Sequence, residues 1–114
     1  MTVNIKNLSI AACAAVLVFA GLSLVAATES AVDIRVFRFG PAQVDVTPGS
    51  RVTWTNQDDI THTVTSGLPE RPDGRFNQRL AGKGATATVE FTDPGVYPYF
   101  CVRHPSMRGE IRVN

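Results

Sequence analysis

Between Asn7 and Thr28 the chain carries no charged side chain, whereas all ten acidic residues and ten of its eleven basic ones lie beyond that stretch. Two kinds of sequence therefore follow one another. The apolar core Ile10 to Leu24 follows a short basic start and leads into the small residues Val25-Ala26-Ala27, the layout of a secretory signal peptide cleaved after Ala27. An uncharged run of this length also meets the requirement of about 20 residues for spanning a bilayer, so an uncleaved anchor is the competing reading. Either way, residues 28–114 are predicted to be exported, and the folding problem is confined to them. Ile10-Ala11-Ala12-Cys13 has the form of a lipoprotein cleavage site, but such a cysteine follows the apolar core, and Cys13 precedes most of it. Cys13 reads as one more small apolar residue of the signal.

The exported part balances ten Lys/Arg against ten Asp/Glu. A neutral chain offers no support for bulk attraction to nucleic acid or anionic lipid, so neither is expected as a partner; a monomer is expected, with no membrane attachment once the signal is removed. One domain of this size has a modest core and often leans on a staple or a metal. Small exported domains usually use disulfides. Here Cys101 is the only cysteine beyond the signal, and a lone thiol in an oxidising compartment calls for a specific role.

Period-two alternation dominates residues 28–114. Val32, Ile34 and Val36 alternate with polar neighbours, and the apolar set then shifts face at Phe37 and Phe39, which predicts a bulge or sheet crossing near Val36. Val44 and Val46 alternate, Pro48-Gly49 marks a turn, and Val52 and Trp54 follow, a pattern read as a hairpin. His62 to Ser66 reads as a short strand, whereas Gly67 to Gly84 loses periodicity and is read as a long connection. Ala87, Val89 and Phe91 resume the alternation. After Asp93-Pro94-Gly95, residues Tyr97, Tyr99 and Cys101 share one face, with Pro98 opposite marking a bulge or edge. Ile111 and Val113 form a last strand. Short strands at this spacing, with no helix-period segment, predict an all-β fold: a β-sandwich, with a closed barrel as the competing topology.

The chemistry concentrates in Cys101-Val102-Arg103-His104-Pro105-Ser106-Met107, which offers a thiolate, an imidazole and a thioether between two strands. His62, the only other histidine, lies near the start of a distant strand, and strand ends converge easily in a sandwich. Two imidazoles, one thiolate and a weak thioether are the donor set of type 1 blue copper. Taken singly, a cysteine or methionine is usually packing and a histidine usually a satisfied polar residue. Taken together, these are both histidines, the one exported cysteine and the one exported methionine, three of them at regular spacing of three. A structural zinc site normally adds a fourth strong ligand instead of a thioether. A Cys101–His104 nucleophile pair lacks an orienting Asn or Asp. An oxidase or nitrite reductase needs histidines that this chain lacks, so no enzyme activity is predicted.

The run Tyr97-Pro98-Tyr99-Phe100-Cys101-Val102-Arg103-His104-Pro105-Ser106-Met107-Arg108-Gly109 resembles the C-terminal copper loop of the cupredoxins, in the short amicyanin form rather than the longer plastocyanin or pseudoazurin form. The resemblance extends over residues 32 to 114, including Pro48 to Asn56 and His62-Thr63-Val64. It implies a Greek-key sandwich of about eight strands, one copper ion, and His62, Cys101, His104 and Met107 as its ligands. It also implies single-electron transfer in the periplasm between larger redox proteins such as a c-type cytochrome, a dehydrogenase or a reductase. Copper storage or delivery with the same ligands is the alternative function. Thr63 stands where these families often have Asn, so bracing of the ligand loop falls to its hydroxyl. The segment Gly67 to Gly84 has its own sequence, so the methylamine-oxidising partner of amicyanin does not carry over.

Residues 62 to 83 and 101 to 109 together sum to +4, reduced nearby by Asp58 and Asp59. A mildly basic rim facing an acidic partner is one reading of this balance, and scattered solvated charge is the other. Asp33, Arg35, Arg38, Glu110 and Arg112 read as strand exteriors. His104 is the expected exit for the electron, with Leu68 and Pro69 as neighbours, and Phe100, expected to face away from the core, is a more remote second exit.

Overall fold

The structure, a computed structural model, describes residues 28–114 together with Ala15 and Gly21. The signal segment predicted over residues 1–27 otherwise lies outside the described residues. Nine strands follow in order: β1 Glu29–Arg35, β2 Arg38–Gly40, β3 Gln43–Val46, β4 Ser50–Asn56, β5 His62–Leu68, β6 Arg71–Leu80, β7 Thr86–Phe91, β8 Gly95–Phe100 and β9 Arg108–Val113. They form two sheets of order β2-β1-β4-β7 and β3-β9-β8-β5-β6. Two open sheets face to face make a sandwich, and the barrel reading is set aside.

Alternation explains the core. Val32 and Ile34 of β1, Val52 and Trp54 of β4, and Ala87 and Phe91 of β7 point inward from one sheet, and Val64, Leu80, Tyr99, Ile111 and Val113 answer from the other. Trp54 sits at the centre, in edge contact with Tyr99 at a 5.3 Å centroid distance and flanked by Phe76 and Phe91. Burial of this aromatic cluster supplies the main driving force for bringing the sheets together.

Three sequence expectations are corrected. The segments around Pro48-Gly49 are not paired as a hairpin: β3 pairs in parallel with β9, and β4 lies between β1 and β7 in the other sheet. Gly49 has φ 86 at the third position of a turn closed by Ser50 N–H to the Thr47 carbonyl at 3.1 Å. Proline followed by a positive-φ glycine makes a turn that splays its flanking strands instead of pairing them. The segment 67–84 is not a long connection either, because β6 runs antiparallel to β5 through most of it. This strand hides itself by being an edge: only Phe76 and Leu80 are buried, and Arg71, Asp73, Arg75 and Arg79 protect the rest from edge-to-edge pairing. Near Val36 there is no sheet crossing but a two-residue turn joining β1 to β2.

Pro98 fits its place for a physical reason. It pairs with Glu110 of β9, while on the β5 side pairing is confined to Thr65↔Phe100 and Ser66↔Tyr99. A missing N–H is tolerated where no ladder bond is required.

Gly109 of β9 lies directly across from Tyr99, and a Cβ there would fall on the tyrosine ring. Tyr99 cannot yield, because Trp54 and Phe39 hold its other sides. Gly109→Ala is therefore expected to destabilise the fold by about 2 kcal/mol or more, the usual scale of core overpacking. Urea denaturation with an unchanged midpoint would contradict this account.

Candidate metal centre

Cys101 directly follows β8, and His62 begins the antiparallel neighbour β5, so the β5–β8 pairing carries both to the same end of the sandwich. The return from Cys101 to β9 is a tight loop. Met107 N–H donates to the His104 carbonyl at 2.8 Å, and Cys101 N–H donates to the Met107 carbonyl at 3.1 Å. Closing the loop on its own backbone places His104 and Met107 beside the cysteine. Cys101, His62 and Met107 are buried, and His104 is half-buried.

The donor atoms converge. Cys101 Sγ lies 3.8 Å from His62 Nδ1 and 3.9 Å from His104 Nδ1, and the three donors lie within 4.8 Å of one another. Ligands at roughly 2.0–2.3 Å from a shared ion, about 120° apart, stand ~3.8 Å from each other. The buried triad thus has the spacing of a trigonal metal site, and a thiolate with two imidazoles and a buried thioether nearby suits copper in both oxidation states.

A second layer of contacts, not anticipated from the sequence, fixes this arrangement. His62 Nε2–H donates to Asp58 Oδ2 at 2.8 Å, which leaves Nδ1 as a bare lone pair aimed at the cysteine. The same carboxylate accepts the N–H groups of Val36 at 2.8 Å and Phe37 at 3.0 Å. Burial pushes the Asp58 carboxyl up, but the N–H groups of Phe37 and Val36, and then the hydrogen bond from His62, outweigh it and hold it below its ordinary value of 3.8. Asn56 shapes the loop that presents Asp58: its Nδ2 donates to the carbonyls of Ile60 and Leu80, and its Oδ1 accepts from Asp58 N–H at 2.9 Å. A buried Asn near the end of β4 was the available signal, together with an Asp four residues before the histidine.

Asp58 also clamps an unusual turn. Val36 and Phe37 have φ of 49 and 57, which costs on the order of 1–3 kcal/mol for each non-glycine residue and persists only where its surroundings impose it. The turn sets Phe37 edge-on against His104 at 4.8 Å and His62 at 5.5 Å between ring centroids.

Thr63 does the bracing expected of its hydroxyl. Its N–H donates to Cys101 Sγ at 3.4 Å, and its Oγ1 accepts from Val102 N–H at 2.8 Å. Its hydroxyl hydrogen is then free for Thr65 Oγ1, 3.0 Å away, which donates in turn to Asn77. Thr63→Val keeps the backbone bond to sulfur and removes the brace. Copper affinity is expected to fall by roughly tenfold, the lower end for outer-layer partners, as read by competition with a chelator; unchanged affinity would show the brace to be idle.

Two expectations about the surroundings fail. Leu68 stands six residues along β5 from His62, roughly 20 Å at about 3.3 Å per residue, so it and Pro69 do not adjoin His104. Phe100 faces away from the main core, as expected, but is only 3% exposed, so it offers no surface exit. Phe37, not Leu68, is the neighbour of His104.

A two-sheet sandwich that brings one buried thiol between two imidazoles at its end defines a mononuclear copper protein of the electron-transferring class. The chain belongs to the copper binding proteins of the plastocyanin/azurin family, whose sequence profile matches residues 26–114. Among its relatives, amicyanin-alpha of Methylorubrum extorquens is 31% identical over 87 residues, 76% of this chain and 73% of that protein. Plastocyanin A/B of Petroselinum crispum is 29% identical over 84 residues, 67% of this chain and 87% of the relative. Among solved structures, a purple cupredoxin from Nitrosopumilus maritimus superposes with a TM-score of 0.69 at 25% identity, covering 75% of this chain and 99% of that one. Amicyanin from Paracoccus versutus gives 0.64 at 26% identity, covering 75% and 81%. The cofactor is accordingly a type 1 copper ion, and the chain is a copper electron-transfer protein of a family of carriers rather than enzymes.

Proposed function

We propose that the protein is an exported, periplasmic carrier of single electrons, with residues 1–27 as a signal peptide and residues 28–114 as the cupredoxin domain. Bound copper supplies a one-electron Cu(I)/Cu(II) couple. Cys101 would hold it through its thiolate, His62 and His104 through their imidazoles, and Met107 through a weak thioether. The observation that carries this reading is the buried Cys101 sulfur between two Nδ1 atoms at 3.8 and 3.9 Å.

The protein's own part is to hold the donors still. Asp58 fixes His62, Thr63 fixes the loop after Cys101, and the backbone bonds of Met107 close the loop. A frame held by so many outer contacts changes little between oxidation states, which favours a carrier over a store that must release its ion. The carrier reading implies larger redox proteins as partners, such as a c-type cytochrome, a dehydrogenase or a reductase.

The test is spectroscopic and kinetic. Adding Cu(II) to the purified protein is expected to give an intense blue absorption and a stoichiometry of one ion, and the loaded protein should exchange electrons with a redox protein without losing copper. A colourless copper complex would contradict the ligand assignment, and copper transfer in place of electron transfer would favour the store. Because binding acts on the folded state alone, copper at about 1,000 times its Kd adds about 4 kcal/mol. For a domain of this size that raises the Tm by roughly 15 °C or more, and calorimetric curves that coincide with and without copper would count against the site. Mass spectrometry of protein from its host is expected to find a chain starting at Thr28.

A further inference from the structure

The chain contains one tryptophan and two tyrosines, and the fold gathers all three into one line. Tyr97, Tyr99 and Cys101 occupy alternate positions along and just after β8, so their side chains share its inward face. Trp54 stands edge-on to Tyr99 at 5.3 Å, Phe91 lies 6.4 Å beyond Trp54, and Tyr97 lies 5.3 Å beyond Phe91, all between ring centroids. The line begins beside the ligand thiol and ends at the surface. There the half-buried Tyr97 donates its hydroxyl hydrogen to the Asp93 carbonyl at 2.7 Å in an exposed bond, and its ring borders a cleft of about 120 Å³ open to solvent.

The inner members of this line are costly as they stand. Trp54 and Tyr99 are buried, and neither the indole Nε1–H nor the phenol hydroxyl has a well-formed hydrogen bond. A buried polar atom without a partner carries a free-energy cost that phenylalanine at either position would avoid, and it calls for a functional account. Indole and phenol differ from phenylalanine in giving up one electron to a strong oxidant. Burial pushes the Tyr99 phenol up to about 12, and the nearby Trp54 N–H offsets this only in part. Tyr99 therefore keeps its proton, and its oxygen is placed to stabilise positive charge on the indole. Tyr97 differs, because its hydroxyl lies where water takes the proton.

The ligand sulfurs give such a line something to protect. Met107 backs onto a second cleft, of about 220 Å³ and open to solvent, through which small oxidants reach it. It precedes by two residues Gly109, the partner of Tyr99 across β8 and β9, which sets the thioether diagonally from the phenol ring. Thioethers and thiols are oxidised stepwise, and the products no longer serve as soft ligands.

We propose that Trp54 and Tyr97, with Tyr99 bridging the sulfurs to Trp54, carry oxidising equivalents from the ligand sulfurs to the surface, and that Tyr97 is the residue where they are discharged. A small oxygen-centred radical takes one electron from the Met107 sulfur and becomes its anion. Trp54 returns one electron to that sulfur and becomes a radical cation. Tyr97 then returns one electron to Trp54 while its O–H bond breaks and the proton passes to water. The neutral phenoxyl takes a hydrogen atom from a small thiol at the cleft, and two thiyl radicals from successive events join as a disulfide. No bond at Met107 changes, so the ligand survives. This activity goes beyond electron carriage and does not depend on it.

The test uses carbonate radical anion, generated by a laser flash in solutions of the purified protein with and without copper, as an oxidant that leaves as carbonate. Transient absorption follows the indole and phenoxyl radicals, and peptide mass spectrometry locates the stable damage. Wild-type protein is expected to show phenoxyl absorption growing as the indole radical decays, at a rate independent of protein concentration, with oxidation collected at Tyr97 as tyrosine-linked dimers. Tyr97→Phe keeps the ring and its contact with Phe91, so it should fold with an unchanged urea midpoint. Its phenoxyl signal should be lost, and the yield of Met107 sulfoxide should rise severalfold. Trp54→Phe should slow the growth of phenoxyl; if it fails to fold, Tyr97→Phe decides alone. Equal Met107 sulfoxide in wild type and Tyr97→Phe would overturn the proposal, as would a phenoxyl signal that precedes the indole radical. The copper-free arm judges the aromatic line even if the protein carries no electrons for a partner.

Discussion

Cys101→Ser protein is expected to fold, to take up copper only weakly and to stay colourless. The intense absorption of a type 1 site comes from the thiolate, and serine offers a hydroxyl that is neither ionised nor soft. The fold should tolerate the change well. Cys101 is fully buried, but Thr63 N–H, 3.4 Å from its sulfur, supplies a partner for the new hydroxyl, so the metal-free stability should move by only about 1 kcal/mol. Copper affinity should fall by at least a hundredfold, beyond the 10–100-fold that loss of an outer-layer partner produces. The increase in Tm on adding copper should shrink in parallel. Blue colour in this variant would mean that another residue carries the charge-transfer band, and the centre would then have to be rebuilt around it.

The difference between what the chain reveals and what only the fold reveals follows from range. Cys101, His104 and Met107 fall within seven residues, and His62 is the one other imidazole, so the donor set was legible without coordinates. The sandwich was legible where one face of a strand is wet, as in Val32 and Ile34 or Ala87 and Phe91. It was hidden in β6, an edge strand whose only buried side chains are Phe76 and Leu80. It was misread at Pro48-Gly49, because a turn signal does not say to which sheet the chain returns; the parallel pairing of β3 with β9 is decided at residues 110–113, far along the sequence. The outer layer was illegible for the same reason. Asp58 meets Val36 and Phe37 over 22 and 21 residues of separation, and although the shift of the apolar set marks an irregularity near Val36, neither residue favours the positive φ of this turn. That turn exists because Asp58 and two imidazole rings compel it.

Asp58→Ala should therefore damage two things at once, and their linkage is what a simple hydrogen-bond loss would not show. Removing the carboxylate strands the His62 Nε2–H in a fully buried side chain and frees the N–H groups of Val36 and Phe37 to water. Bonds to an ionised acceptor contribute about 1.5–3 kcal/mol each when desolvated. The two turn amides are exposed and can rehydrate, so the metal-free protein should lose about 2–3 kcal/mol in all. The turn, no longer clamped, should relax from its positive φ values and carry Phe37 off the imidazoles. Copper affinity should drop by roughly 10–100-fold as His62 loses its fixed tautomer. Asp58→Asn is the milder test, because a carbonyl oxygen at the Oδ2 position keeps the bonds from His62 and Phe37 and loses only the one from Val36. A double-mutant cycle between Asp58→Ala and Phe37→Ala, read as metal-free stability by urea denaturation, should give a coupling of about 0.5 kcal/mol or more. Strict additivity would mean that Asp58 serves His62 alone and that the turn holds itself.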